Sequence, residues 1–357
     1  MFKRLDYPII FLTVAIFAIG ILFQYSVSYQ KDISPLNNPA LKQLIWVLAG
    51  FCVFIFILNL GYRRIISISY FLYAVVMVLL LAVLIFGRQR LGAQRWLHLG
   101  PFNIQPSEFT KLSLIFTLAY YLGRRHDSIL RIGNFLVPFF LTAIPAIFIL
   151  KQPDLGTALV LFPILISMLF IYGIRMKYIA GFLLAGLAAM PVLWNMLRPY
   201  QKQRLLVFIK PDMDPLGAGY TIIQSKIAVG SGGLFGKGWL SGTQNYLNFL
   251  PERHTDFIFS VVGEEWGFIG SAILLTLYFL LIRRMLRILD TTENVYGRLL
   301  VAGIATMLFV QVIVNIGMTI GIFPVVGITL PLISYGGSSL LTTFVGIAIV
   351  LSVHQWR

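Results

Sequence analysis

Ten apolar stretches, each long enough to cross a lipid bilayer, limit the fold more than any other feature of the sequence. A spanning helix needs about 20 mostly apolar residues. The predicted spans are 8–27, 42–60, 67–87, 107–122, 133–150, 155–172, 179–195, 257–282, 299–321 and 339–353. Hydrophobic residues make up 58% of the 357 residues and charged residues only 11%, which is typical of membrane proteins. We therefore predict an all-α integral membrane protein with ten transmembrane helices, forming a single domain over residues 1–357.

The basic residues predict the orientation of these spans. With the N-terminus in the cytoplasm, 14 Lys and Arg residues fall on the cytoplasmic side and 6 in the short loops opposite. Because excess positive charge marks the cytoplasmic side, we expect both termini there. Lys3 and Arg4 precede a first span that lacks a small-residue cleavage site, so we expect a retained helix rather than a signal peptide. The net charge of +15 lies in these loops, which favours anionic membrane lipids over nucleic acid as its counterpart.

Polar sequence collects on the opposite side, which we expect to be the working face. The large extracytoplasmic loop, 196–256, contains a pattern at Tyr220–Val229 that predicts an amphipathic helix at the membrane surface. The segment 322–338 contains prolines and glycines that a continuous helix does not tolerate. Irregular backbone at membrane depth must be buried in protein or line a cavity, so we predict a re-entrant segment before the last helix. A single cysteine and four scattered histidines offer no thiol or histidine metal site.

Asp256 stands at the boundary between the polar stretch 251–256 and the span 257–282. Two interpretations are open. A carboxylate in the first turn of a helix is commonly a cap that faces the positive end of the helix dipole. Alternatively, Asp256 is a catalytic carboxylate that faces an outer cavity.

Other outward residues also carry two interpretations. Glu108 and Lys111 are one helical turn apart, so they should form either a packing ion pair or a functional one. Arg95 and Trp96 suit a phosphate and a sugar or lipid, although a lone Trp is also typical of the interfacial aromatic belt. Asp154 either caps the following helix or adds an acidic group to the site.

The long loop supplies further basic residues: Arg204, Lys226 and Lys237. The glycine-rich stretch 230–238 around Lys237 is able to wrap backbone amides around an anion, and a flexible outer loop is the alternative. It lacks the GxxxxGK[ST] order of a nucleotide-binding loop. Five small residues in the late spans are expected to allow close approach of a partner helix: Gly267, Gly270, Ser271, Gly303 and Ala305.

Six motifs occur in the order found in the SEDS family (shape, elongation, division and sporulation proteins): GAQRWLHLGPFNIQPSEFTK, KQPDLGTA, DPLGAGYTIIQSKIAVGSGGLFGKGW, GTQ, FLPERHTDFIFSVVGEEWG and FPVVGITLPLISYGGSS. The chain resembles this family over nearly its whole length, and its RodA branch in particular. The resemblance implies a peptidoglycan glycosyltransferase of the bacterial cytoplasmic (inner) membrane that polymerises lipid II on the outer face during cell elongation. It also implies a class B penicillin-binding protein (a transpeptidase) as partner, Asp256 as the essential carboxylate, and functional importance for Trp96, Glu108 and Lys111.

The chemistry of such a reaction fits these residue types. A sugar hydroxyl attacks an anomeric carbon while a lipid-linked pyrophosphate leaves, so one general base is needed, with inversion at that carbon. Pyrophosphate is a good leaving group, so cations replace the general acid. The candidates are Lys111, Arg95, Arg204, Lys226, or a bound Mg²⁺ or Mn²⁺, for which Asp256 is a potential ligand. The rival functions are a lipid II flippase and a non-enzymatic scaffold of a cell-wall complex; the absence of an evident inverted repeat disfavours the flippase.

Overall fold

The computed structural model describes residues 5–29, 39–90, 93–99, 102–125, 133–196, 199–210, 214, 217–247 and 249–356. Within these residues the regular structure is almost entirely helical. The helices are α1 (Tyr7–Ser28), α2 (Pro39–Leu60), α3 (Tyr62–Ser67), α4 (Ser69–Phe86), α5 (Pro106–Gly123), α6 (Gly133–Lys151), α7 (Leu155–Tyr172), α8 (Met176–Met196), α9 (Pro199–Ile209), α10 (Ala218–Ser231), α11 (Thr243–Tyr246), α12 (Ile258–Thr291), α13 (Val295–Thr319) and α14 (Gly337–Gln355).

Each predicted span coincides with one of these helices, so the prediction of an all-α membrane protein is confirmed. Seven helices are long and apolar enough to cross a membrane: α1, α2, α4, α7, α12, α13 and α14. Helices α5, α6 and α8 lie at the other three predicted positions. The apolar stretches described in α6 and α8 are shorter, and α5 carries Glu108 and Lys111. The chain is therefore a multi-pass membrane protein, and the exact count of ten spans stays a prediction.

Helix α13 lies at the centre of the bundle. It packs against α5, α7, α12 and α14, and its side chains Leu300, Ile304 and Met307 are fully buried. Peripheral helices instead expose large apolar side chains, including Phe11 on α1 and Phe71 on α4. A central span is apolar on all sides because it meets only protein, whereas the exposed apolar faces of outer helices suit lipid.

The prediction that small residues of α12 and α13 form an external docking face is wrong for four of the five. A Cβ on Gly303 would come within 2.9 Å of a side chain of α5, and Ala305 is buried in the core. A Cβ on Gly267 would lie 2.3 Å from the backbone nitrogen of Gly236, and Gly270 is also buried. Small residues permit close packing inside a helical bundle as readily as between chains, and here they serve the internal contacts.

Gly267 interrupts α12 with φ of 64° and ψ of −159°, a conformation that glycine adopts far more readily than other residues. The glycine-rich segment 232–238 packs against this break. The Phe268 amide donates to the carbonyl oxygen of Gly233 at 2.9 Å, and the Lys237 amide donates to that of Glu264 at 3.0 Å. The glycines thus allow two backbones to approach closely, and the amide of Lys237 already has a protein partner.

The loop 88–106 contains a small antiparallel sheet that the sequence analysis did not predict. Its strands β1 (Arg88–Arg90), β2 (Ala93–Leu99) and β3 (Phe102–Ile104) are ordered β1-β2-β3. Strand β2 carries Arg95 and Trp96, and Trp96 is paired in register with Arg88. Because successive residues of a strand point to opposite faces, the side chains of Arg95 and Trp96 leave β2 on opposite sides.

Residues 321–336 form no helix, as the prolines and glycines predict, and all of them except Ile322 and Phe323 are buried or half-buried. Their backbone is held by side chains of the surrounding helices. Gln24 of α1 donates to the carbonyl oxygen of Ile333 at 3.0 Å, and Asn315 of α13 donates to that of Ile328 at 2.7 Å. Buried backbone groups outside helices need such partners, so this irregular segment has a fixed place inside the bundle.

Candidate functional site

Asp256 lies in the turn that precedes α12, and it is not a helix cap. The N-cap position is Phe257, and no side chain caps the helix there. The backbone of Asp256 is held firmly: its amide donates to the carbonyl oxygen of Glu252 at 3.2 Å, and its carbonyl accepts from Asn315 at 3.0 Å. Within the described part of the chain, its carboxylate has no hydrogen bond or ion pair. The structure therefore contradicts the cap interpretation and leaves a positioned carboxylate without a protein partner.

Gly327 brings this carboxylate next to Arg95. A Cβ built on Gly327 would lie 3.4 Å from Oδ2 of Asp256 and 3.7 Å from Nη1 of Arg95. Gly327 has φ of 75°, in the left-handed region that favours glycine. The irregular segment 321–336, the turn before α12 and strand β2 thus converge on one small space that lacks a side chain.

Burial and neighbouring charge set the basicity of Asp256. Removal from water and, to a smaller extent, the charge of Glu252 raise the pKa of its carboxyl, while Arg95 and Arg204 act in the opposite direction. The net effect raises the pKa from 3.8 to about 6. A carboxylate with a pKa of about 6 is still mostly ionised at pH 7. It is also a stronger base than an ordinary aspartate, which is the combination a general base requires.

Asp154 orients Arg95. Nη2 of Arg95 donates to the carbonyl oxygen of Pro153, and its Nη1 lies 3.7 Å from Oδ1 of Asp154. The buried Asp154 is also the N-cap of α7, since it accepts from the amide of Thr157 at 3.3 Å. It accepts from the Ser107 hydroxyl at 3.0 Å as well. Asp154 is therefore both a cap and a neighbour of the site, so its two interpretations do not exclude each other.

A narrow cleft beside Asp256 contains two guanidinium groups. It lies between β2, α9 and the segment 324–326, and its lining residues are Arg95, Pro153, Leu155, Gln201, Arg204, Leu205, Pro324, Val325 and Val326. Arg204 on α9 approaches the carbonyl oxygen of Val325 at 3.5 Å. Two guanidinium groups are able to bind a phosphate or pyrophosphate with paired hydrogen bonds. The cleft has a volume of about 10 Å³, so it must widen to admit such a group.

Glu108 and Lys111 form the predicted ion pair on the first two turns of α5. Lys111 Nζ lies 2.8 Å from Oε1 of Glu108, and both side chains are buried. The second carboxylate oxygen of Glu108 is buried and has no hydrogen-bond partner in the part of the chain that the structure describes. The helix start is linked to Asp154 through Ser107, so the pair and the Arg95 cluster share one support. The role of the Glu108–Lys111 pair in substrate binding stays a prediction.

Three other predicted residues lie outside this cluster. Trp96 is half-buried and leaves β2 on the face opposite Arg95. Lys226 on α10 is exposed, and its stem crosses Gly321, where a Cβ would come within 1.9 Å of the lysine Cε. Lys237 pairs with the buried Glu264 at 2.7 Å. Substrate binding by these three residues stays a prediction.

Three further residues build the site and were not predicted from the sequence. Gln24 and Asn315 hold the backbone around Asp256, and Gly327 leaves the open space beside it. Gln24 and Asn315 are uncharged polar residues inside apolar spans, a signal of an interior contact that was available in the sequence. Gly327 carried no comparable signal, because its role depends on contacts distant in the chain.

Comparisons with known proteins agree over the whole chain. The sequence profile of the FtsW/RodA/SpoVE family, described as cell cycle protein, matches residues 7–357. Peptidoglycan glycosyltransferase MrdB of Escherichia coli K12 is 47% identical over 80% of this chain and 78% of its own length. The probable peptidoglycan glycosyltransferase FtsW of Trichlorobacter lovleyi is 38% identical over 99% and 94%.

Two solved structures are similar throughout. A chain of a peptidoglycan synthase complex, described for the coordination of polymerization and crosslinking, has a TM-score of 0.84 and 35% identity, covering 100% of this chain and 99% of that one. The rod shape determining protein RodA of Thermus thermophilus has a TM-score of 0.75 and 34% identity, covering 100% and 98%. Identity of this extent shows shared descent as well as shared fold.

Proposed function

The chain belongs to the FtsW/RodA/SpoVE family of cell cycle proteins, and within it to the RodA branch, so we infer that it is a peptidoglycan glycosyltransferase. We propose that Asp256 is the carboxylate on which its reaction depends. The observation that carries this proposal is the position of Asp256: its backbone is held, its carboxylate has no partner among the described residues, and an arginine lies across Gly327.

In this proposal Asp256 is the general base. It takes the proton of the acceptor sugar hydroxyl as the hydroxyl oxygen attacks the anomeric carbon of a lipid II donor. The bond from that carbon to the pyrophosphate oxygen breaks, and the configuration inverts. Arg95 and Arg204 stabilise the departing pyrophosphate from the neighbouring cleft, so no proton is needed on the leaving group.

A divalent cation would fit this site only if the substrate supplied most of its ligands. Among the described residues there is no group of three or more His, Cys, Asp and Glu that could hold a metal ion. Mg²⁺ commonly uses one or two carboxylates together with substrate phosphates, and the partnerless Asp256 carboxylate would be the protein ligand. Bound Mg²⁺ or Mn²⁺ would neutralise charge on the pyrophosphate, and its use stays a proposal.

We propose that the Asp256 site faces the outside of the cell and that the chain works with a membrane-bound partner. The excess of Lys and Arg in the opposite loops supports an outer location for Asp256 and cytoplasmic termini. A similar chain belongs to a peptidoglycan synthase complex for polymerization and crosslinking, which supports a class B penicillin-binding protein as partner here. A cysteine introduced at Lys210 should be labelled by membrane-impermeant reagents from outside only, and labelling from the cytoplasm alone would reverse the proposed orientation.

The decisive experiment supplies purified full-length chain with lipid II and separates the glycan products by length. We expect polymer from the wild type and none from Asp256→Asn, while lipid II binding persists. The matched control is Asp290→Asn, the same chemical change at an exposed position at the other end of α12. A flippase would translocate lipid II without making polymer, and a scaffold would do neither, so either result would overturn the proposed function.

A further inference from the structure

A second cavity lies at the end of the bundle opposite Asp256. It has a volume of about 290 Å³ and opens between α1 and α12, and its lining residues are Pro8, Phe11, Leu12, Leu280, Arg283, Arg284 and Arg287. At 1.5 Å per residue, Arg283 is at most about 38 Å from the start of α12, because the break at Gly267 shortens the direct distance. A bilayer with its headgroups is about 40–45 Å thick. The cavity therefore lies at the headgroup level of the other leaflet.

Asp6 neutralises one of the three arginines. Nε of Arg284 donates to both carboxylate oxygens of Asp6, at 3.0 and 2.8 Å. The same buried carboxylate caps α1 by accepting from the Ile9 amide at 3.2 Å. Arg284 therefore joins α12 to the start of α1, and it forms a fixed side of the cavity.

Among the described residues, the other two arginines have no countercharge. Arg283 and Arg287 are exposed and stand one turn apart on the same face of α12. In the described parts of the chain neither has an ion pair or a side-chain hydrogen bond, and Asp290, the nearest acid along the helix, is not paired with Arg287. Two guanidinium groups thus face the cavity with their donors available.

The walls below the arginines are apolar. Phe11 is 71% exposed and Leu280 is 38% exposed, so both offer uncovered hydrocarbon surface directly beneath the basic rim. A soluble anion would contact only the rim, and a purely apolar ligand would leave the arginines unpaired. A molecule with an anionic head and hydrocarbon chains matches both parts of the cavity.

We propose that this cavity binds one anionic phospholipid, with its phosphate between Arg283 and Arg287 and its acyl chain along Phe11 and Leu280. The occupant is lipid of the leaflet at that end of the bundle, and the site is separate from the Asp256 cleft. Because the cavity lies between α1 and α12, a bound lipid contacts both helices and stabilises their packing by binding only the folded state.

Native mass spectrometry of the full-length chain, titrated with phosphatidylglycerol and with phosphatidylcholine, tests this proposal. We expect the wild-type protein to retain phosphatidylglycerol in preference to phosphatidylcholine. The double variant Arg283→Gln with Arg287→Gln should bind it about 25-fold more weakly, since each basic residue near an anionic surface contributes a factor of about five. The control is Arg63→Gln with Arg64→Gln, which removes two exposed charges from α3 outside this cavity.

A second variant separates the cavity from general electrostatic attraction. Leu280→Trp keeps all three arginines and fills the apolar wall, so it should also weaken phosphatidylglycerol retention. Inorganic phosphate should not compete with the lipid, because it has no chain. Equal losses in the α3 control, unchanged retention in Leu280→Trp, or full competition by inorganic phosphate would each overturn the proposal. Thermal unfolding of every variant without added lipid checks that the proteins are folded.

Discussion

Replacing Asp256 by Asn should stop polymerisation without weakening the fold. Asn has nearly the same size as Asp but lacks a basic oxygen, and the backbone contacts of this position to Glu252 and Asn315 do not involve the side chain. A general base typically contributes 10²–10⁴-fold, so we expect the rate of glycan formation to fall by about that factor. Lipid II binding should persist because Arg95 and Arg204 are unchanged.

The same substitution should leave the free energy of unfolding unchanged or raise it slightly. Burial raises the pKa of Asp256 from 3.8 to about 6, so the fold disfavours the ionised carboxylate. The stabilisation linked to the protonated form is present below pH 3.8 and is lost as the pH rises through about 6. At pH 7 this corresponds to at most about 3 kcal/mol, which partial exposure to solvent reduces to roughly 1–2 kcal/mol. The Asn variant does not carry this cost and should unfold at an equal or slightly higher temperature.

The assay measures both quantities on one preparation. Glycan products are separated by length, and thermal unfolding is followed in the same detergent at pH 7. Loss of polymer together with an unchanged or raised Tm supports a positioned catalytic group. Polymer formation within a few-fold of wild type would refute the role of Asp256, and a Tm lowered by several degrees would show that its carboxylate stabilises the fold.

Three further predictions concern Glu252, the ion pair of Glu108 with Lys111, and Gly327. The polymerisation rate should fall about tenfold per pH unit below pH 6, because a general base must be ionised. In a pH–rate profile, Glu252→Gln should move this acidic decline to lower pH, since the charge of Glu252 raises the pKa of Asp256. Lys111→Met should abolish polymerisation and lower stability by about 3–5 kcal/mol, because it leaves Glu108 as a buried unpaired charge. The double variant Lys111→Met with Glu108→Gln should regain stability in calorimetry but should stay inactive. Restored activity of the double variant would show that the pair is only structural. Gly327→Ala should cost about 1–2 kcal/mol at its positive φ and reduce activity, and full activity would show that the space beside Asp256 is not used.

The spans were predictable because apolar length dominates every other signal in a membrane chain. A helix in lipid satisfies its own backbone, so a run of about 20 apolar residues has few alternatives. The pairing of Glu108 with Lys111 was predictable for a related reason, since helical spacing and the cost of isolated charge lead to the same contact.

The parts that escaped prediction depend on contacts between distant segments. Strands β1 to β3 are short, and their pairing is set by neighbours that the local sequence does not specify. The stretch 230–238 resembled an anion-binding loop, but several of its backbone groups pair with the broken helix α12. Gly267 provides that break, and an isolated glycine in an apolar run does not distinguish a kink from a packing position.

The hydrogen bonds around the irregular segment 321–336 have a consequence for how this protein tolerates change. Gln24, Asn315 and Tyr278 all donate to main-chain carbonyl oxygens, at His254, Ile333, Asp256, Ile328 and Pro331. Every residue has a main-chain carbonyl oxygen, whatever its side chain. These hydrogen bonds therefore depend on the number of residues between donor and acceptor and not on the identity of the accepting residue. Deleting or inserting one residue between Asn315 and Ile328 would shift the carbonyl oxygens of Ile328, Pro331 and Ile333 relative to their donors. Many single substitutions at the accepting positions would preserve these hydrogen bonds. Length in this region is therefore under tighter constraint than composition.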